Sequence, residues 1–256
     1  MKQPGNYTRR EFLMFGSAFG TMFGWIPWFR PKDISLAGAR FQIVHSKAPK
    51  HVKMPNRHYV LIHGDEETAR EVLAKHIVKR RCTAYIIDSK TRDVPIDDGK
   101  MDPNRVFSRF GAEANLKRLN PSWKEEQLNA ALDLLDTHRE HLLNALLPGG
   151  EKLLVALHNN GESYSVETEA PISDLKSLKE PGNPHNFFLC TDPDDYQILS
   201  VSPYNVVLQQ HVRAPDDGSL SRRAAARRQR YVNLEVKQGD AAKQQEMLTW
   251  LEAHLP

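Results

Sequence analysis

The chain has 256 residues, 40% hydrophobic and 26% charged, with 14 Gly and 16 Pro. That mix suits one sizeable globular domain and excludes a disordered tail or a collagen-like repeat, while two cysteines cannot build a disulfide scaffold. The formal charge of +3 would speak for an anionic partner only if the folded part carried it.

It does not. Residues 1–39 hold Lys2, Arg9, Arg10, Arg30 and Lys32 against Glu11 and Asp33, which leaves 30 basic and 30 acidic residues in the rest. A basic start followed by the uncharged, aromatic run Phe12 to Phe29 is the design of an export signal. Thr8-Arg9-Arg10-Glu11-Phe12-Leu13 resembles a twin-arginine signal, read by the twin-arginine export machinery. Ala37-Gly38-Ala39 offers a small-x-small cleavage site, so residues 1–39 are expected to be the signal and 40–256 the mature domain. That implies a periplasmic or extracellular protein with no stable membrane span after cleavage. An uncleaved anchor is the competing reading, since 18 apolar residues just span a bilayer; Pro27 argues against an ordinary buried helix. The neutral remainder removes the case for a nucleic-acid partner.

Phe41 to Val44 and Tyr59 to Ile62 then read as strands, and Glu67 to Arg80 as a helix. Cys82 to Ile87 reads as a strand and Asp88 to Pro103 as a loop. Ser122 to Leu147 has the marks of a long helix, with Ser122 and Glu125 placed to cap it and Pro148-Gly149-Gly150 to stop it. The second half repeats the alternation: strands Leu153 to Leu157, Phe187 to Cys190, Asn205 to Gln209 and Tyr231 to Val236. Its helices are expected near Asp194 to Leu199, around Leu220 to Arg230, and from Asp240 to His254. Strands separated by helices imply a single three-layer α/β/α domain on a mixed, mostly parallel sheet. Function in such sheets gathers where strands end.

There, nearly all-apolar strands run into polar residues. Tyr59-Val60-Leu61-Ile62 meets His63-Gly64-Asp65-Glu66, Leu153 to Leu157 meets His158-Asn159-Asn160, and Tyr231 to Leu234 meets Glu235. A buried imidazole or carboxylate must find a partner. His63 and Glu66, three apart, share a side at the start of a helix, and Gly64 permits a close backbone turn between strand and helix. With His158 they make two nitrogen donors and a carboxylate, the set that a catalytic zinc uses while keeping one position open.

In order along the chain, His63-Gly64-Asp65-Glu66, Asp102-Pro103-Asn104-Arg105-Val106-Phe107, Ala156-Leu157-His158-Asn159 and Asn233-Leu234-Glu235-Val236 resemble the zinc metallocarboxypeptidase superfamily. Within it they are most similar to the aspartoacylase and succinylglutamate desuccinylase branch, with H-G-N-E, D-x-N-R-x-F, D-L-H-N and L-E-V. The resemblance covers residues 59 to 240. It implies one zinc held by His63, Glu66 and His158, with Glu235 as general base. It also implies that Asn104 and Arg105 bind the substrate carboxylate. An upstream Arg would hold the oxyanion; Arg92 is the candidate and Arg109 the competitor. Two positions depart from the pattern. Asp65 brings an extra carboxylate near the metal, and Ala156 lacks an acidic group that would serve beyond the ligands. The chain runs only one helix past Glu235, so the C-terminal β-domain of aspartoacylases is not expected. A more open site is the corollary.

His138 and His141 read as exposed helix residues, Cys82 and Cys190 as buried strand residues with a disulfide left open, and Arg222, Arg223, Arg227, Arg228 and Arg230 as a solvated helix face. His185, Tyr196 and Tyr164 are candidates to line a pocket, with core packing as the alternative. The expected protein is an exported zinc-dependent hydrolase cutting an amide bond beside a free carboxylate, of carboxypeptidase type, on small peptides. An N-acyl-amino-acid deacylase, and a non-catalytic binding module on the same fold, are the alternatives.

Overall fold

The computed structural model describes residues 32–46, 57–78, 80–147, 149–211 and 214–256. The twin-arginine and apolar stretches lie outside them. No helix among the described residues is long and apolar enough to cross a membrane.

In chain order the elements are β1 (Lys32–Leu36), β2 (Ala39–Ser46), β3 (Arg57–Leu61), α1 (Glu67–Ile77), β4 (Cys82–Ile87), β5 (Val94–Ile96), β6 (Gly99–Met101), α2 (Arg109–Leu119), α3 (Glu125–Leu146) and β7 (Leu154–Asn160). They continue with α4 (Val166–Glu169), β8 (Leu175–Ser177), β9 (Phe187–Cys190), α5 (Pro193–Leu199), β10 (Asn205–Leu208), α6 (Leu220–Ala226), β11 (Tyr231–Lys237) and α7 (Ala241–His254). Nine strands form one sheet in the order β1-β2-β4-β3-β7-β11-β9-β10-β8; β5 and β6 make a separate ribbon. The four central strands β4, β3, β7 and β11 are mutually parallel. Antiparallel pairs flank them, β2 on β4 and β9 on β11. The sheet is mixed with a parallel centre, as the alternation of apolar strands and helices predicts.

The two-residue period of each strand divides its side chains between two cores. On one face Val60, Ile62, Leu154, Ala156 and Tyr231 pack with α2, α3 and α6. On the other Tyr59, Leu61, Val155, Leu157, Val232 and Leu234 pack with α1, α5 and α7. Three layers result, and the parallel strands β3, β7 and β11 all end at one edge of the sheet.

Some elements differ from expectation. The compact unit spans Asp33–Pro256. β1 lies beside β2 at the sheet edge, Leu36 and Ala39 are buried in the first core, and Gly38 is so close to Pro95 that a Cβ would overlap its carbonyl. A cut after Ala39 would detach that strand. The stretch Asp88 to Pro103 is not all loop, since it holds the β5–β6 ribbon. Helix α2 was not anticipated. Helix α3 starts at Glu125 with Gln127 accepting from the Lys124 amide, so Ser122 is not its cap. The basic helix stops at Ala226.

Candidate metal centre

His63 follows β3, and Glu66 sits at the N-cap of α1 without capping it; its carboxylate turns inward instead. His158 and Glu235 are paired neighbours on β7 and β11, so the register alone sets them side by side on one face. All four are buried. Gly64 serves this geometry by close approach: a Cβ there would meet the Ser89 and Thr91 backbone at 2.6 Å, and its amide donates to the Thr91 carbonyl at 3.2 Å. The loop that carries Arg92 is thereby drawn against the His63 turn.

His63 Nδ1 lies 2.7 Å from Glu66 Oε1, and His158 Nδ1 lies 3.3 Å from the same oxygen. The two imidazole rings meet edge to face, 5.3 Å apart. Glu66 Oε2 is 3.1 Å from His158 Nδ1, yet is buried with no aligned hydrogen bond. Donor atoms of His63, Glu66 and His158 all fall within 4.8 Å of one another. On its other side, His63 Nε2 is 2.9 Å from Asp102 Oδ1. An imidazole that gives its Nε2 hydrogen to a carboxylate keeps the Nδ1 lone pair for a cation. Asp102 is itself steadied by the Asn104 amide at 2.8 Å.

Burial opposes charge on His63, yet the Glu66 carboxylate, joined by Asp102, pushes the imidazole up to about 9. Burial likewise opposes ionisation of Glu66, and the His158 and His63 imidazoles overcome it, holding the carboxyl down at about 2. Asp102 is lowered by His63 against the same burial. Glu235 goes the other way: burial raises its carboxyl and Glu66 adds to the rise, against the opposing pull of His158, Asn233 and Asn160. Three buried carboxylates thus face two imidazoles. This excess of negative groups, with an orphaned carboxylate oxygen among them, fits a bound cation, and nitrogen plus carboxylate donors suit a divalent transition metal.

Arg92 flanks the cluster with 45% of its side chain exposed, its Nη1 3.5 Å from Glu66 Oε1 and its Nε 3.6 Å from Asp102 Oδ2. Arg109 is elsewhere, paired with Asp133 and Asp136 on α3. Asn104 Oδ1 accepts the Leu220 amide at 3.0 Å, tying the start of α6 to this loop. Arg105 gives Nη1 to the Asn104 carbonyl at 2.8 Å, and its charge is felt at Asp102 and Tyr164. Asp65, expected to add a carboxylate, is exposed outside the cluster. Tyr164 packs on Phe187 at 5.8 Å, and its hydroxyl is raised by burial and by the nearby Glu235. His185 Nδ1 lies 2.9 Å from the Tyr164 carbonyl, and its Nε2 faces Glu162 at 3.7 Å. Tyr196 belongs to the opposite core.

No metal cluster forms at His138 and His141, which are exposed. Cys82 and Cys190 are buried free thiols. Four of the five clustered arginines face carboxylates, with Arg222 on Asp217, Arg223 and Arg227 sharing Glu140, and Arg230 on Asp195.

Sequence reading also missed Asn159 and Gln244. Asn159 Oδ1 accepts the Ala69 amide of α1 at 2.8 Å and its Nδ2 donates to Gln244 Oε1 at 3.0 Å. Gln244 Nε2 in turn donates to the His158 carbonyl at 3.0 Å. The polar pair following His158 was the available signal.

No protein-family model matches the chain, and no curated protein does. Among solved structures, it is similar to a candidate metallopeptidase from Shewanella denitrificans, at 13% identity and a TM-score of 0.41, over 87% of this chain and 82% of that one. A likeness at that level adds nothing to what strand order and site geometry already establish.

Proposed function

We propose that the chain is a metal-dependent hydrolase that cleaves an amide bond beside a free carboxylate, with zinc held by His63, Glu66 and His158. The observation that carries this reading is the convergence of two imidazoles and a carboxylate within 4.8 Å, with a second carboxylate, Glu235, on the adjoining strand. A divalent metal there supplies Lewis-acid polarisation of a carbonyl and acidifies water towards a pKa of about 7.

The chain's own groups divide the remaining work. Glu235 takes the proton of the attacking water and delivers it to the leaving amine; a buried carboxyl with a raised pKa is suited to both transfers. Arg92, weakly held and half-exposed, has room to turn to the scissile carbonyl and hold its developing charge. Arg105, backed by Asn104, takes the substrate carboxylate through its guanidinium fork. The twin-arginine-like N-terminus makes this an exported protein, periplasmic or extracellular, so carboxypeptidase-type action on cell-wall or scavenged peptides is favoured. N-acyl-amino-acid deacylation by the same groups, as in the aspartoacylase branch, is the second reading.

Metal analysis of purified protein beside its His63→Ala variant, with hydrolysis assayed on peptides and N-acyl amino acids, tests the proposal. Wild type should retain about one zinc per chain and the variant none. A wild type that keeps no metal and cleaves nothing overturns it. Glu235→Gln should keep the metal and lose about 10²- to 10⁴-fold in turnover, the usual worth of a positioned base.

A further inference from the structure

Asn160 and Asn233 are neither ligands, nor base, nor substrate residues, yet both end on Glu235. The register explains how. On β7 the two-residue period puts Ala156, His158 and Asn160 on one face, and on β11 it puts Asn233 and Glu235 on the same face. Asn233 is opposite Ala156 and Glu235 is opposite His158. Asn233 therefore precedes the carboxylate on its own strand, while Asn160 reaches it diagonally from the next. Asn233 Nδ2 donates to Glu235 Oε1 at 3.0 Å, and Asn160 Nδ2 donates to Oε2 at 3.1 Å. The second amide hydrogen of Asn160 goes to the His185 carbonyl at 2.8 Å. Alanine at 156 leaves room beside Asn233.

Both residues are 7% exposed, and in both the Oδ1 is buried without a partner. An unsatisfied buried acceptor costs about 1–3 kcal/mol. Flipping either amide would set its oxygen against a carboxylate oxygen, and an apolar residue would avoid the cost altogether. Two such costs beside one carboxylate are what a fold tolerates for function rather than for packing.

We propose that Asn160 and Asn233 are positioning residues that fix the plane of the Glu235 carboxylate, one amide hydrogen on each oxygen, leaving a lone pair on each for proton transfer. The proposal rests on the reading of Glu235 as general base. It is tested on the full chain with Asn160→Leu and Asn233→Leu, by crystal structures, metal content and separate kcat and KM. The expected result is a Glu235 carboxylate turned out of its present plane, unchanged metal content, unchanged KM and a kcat lower by about 100-fold, the effect of a misplaced reacting group. An unmoved carboxylate with unchanged kcat overturns it. Where the leucine variants fail to fold, Glu235→Gln substitutes: the side-chain amide NMR signals of Asn160 and Asn233 should shift selectively, and unmoved signals overturn the clamp. If wild type cleaves nothing, the proposed function fails, and the conformation of Glu235 in the variants still decides the clamp.

Discussion

The two ends of β3 both bury polar groups, with opposite results. At its start, Arg57 donates to the carbonyls of Leu255 and Pro256 and lies 3.4 Å from Glu252. Tyr59 donates to Glu252 at 2.6 Å and meets His76 Nε2 at 3.1 Å, and Arg80 lies 3.8 Å from the same carboxylate. One acid is matched there by two guanidinium groups. At the far end three buried carboxylates, Glu66, Asp102 and Glu235, crowd the His63 and His158 imidazoles, with Arg92 half in solvent and one Glu66 oxygen lacking an aligned hydrogen bond. The first cluster has no surplus of acid and pins the last residues of the described chain through Arg57; the second gathers two imidazoles and a carboxylate whose donor atoms converge. Buried polarity alone does not mark a site, whereas converging ligand atoms do.

The contrast can be broken experimentally. Glu252→Ala should cost about 3–5 kcal/mol in denaturant unfolding, because it strands a buried guanidinium; a loss under 1 kcal/mol would remove the structural role assigned to that end. At the other end, zinc at a hundred times its dissociation constant should add about 2.7 kcal/mol of stability, a gain that His158→Ala should abolish. Asp102→Asn should keep the fold and weaken zinc binding about 10- to 100-fold by titration, since it leaves His63 unheld. Equal affinity would make Asp102 a bystander.

The smallest effects are in pH. Burial holds the His58 and His76 imidazoles down at about 4, below the unfolded value of about 6.5. The unfolded chain then binds more protons, so their contribution is full above about pH 6.5 and is lost as pH falls towards 4. In metal-free protein His63 slopes the other way: raised to about 9, it contributes fully below about pH 6.5 and loses that contribution as pH rises through 9. Urea midpoints of the metal-free protein across pH 4 to 10 should fall on both sides of neutrality. Equal midpoints throughout would deny both assignments.

Much of this arrangement was legible in the chain. His63, His158 and Glu235 each follow an apolar run in the sequence, and a polar residue in that position stands out, although β7 and β11 continue two residues past His158 and Glu235. Strands such as Cys82–Ile87 and Phe187–Cys190 were legible because burial on both faces makes them apolar but for Thr83. What stayed hidden depends on register or on weak patterning. Asp102 reaches His63 from 39 residues away, and Asn160 and Asn233 meet Glu235 only once β7 and β11 are aligned. Helix α2 buries little beyond Gly111, Ala112, Asn115 and Leu116, too small a stripe to show as a period. β1 was obscured by the export-like sequence before it.

The buried amide of Gln244 has a consequence for motion. It joins α7 to the backbone of His158, and through Asn159 to the first turn of α1, so local opening of α7 would slacken the strand of His158 and the helix that follows Glu66. Segments joined in this way should open together. Occupancy at the sheet edge should therefore slow hydrogen exchange along α7, a helix that supplies no ligand itself.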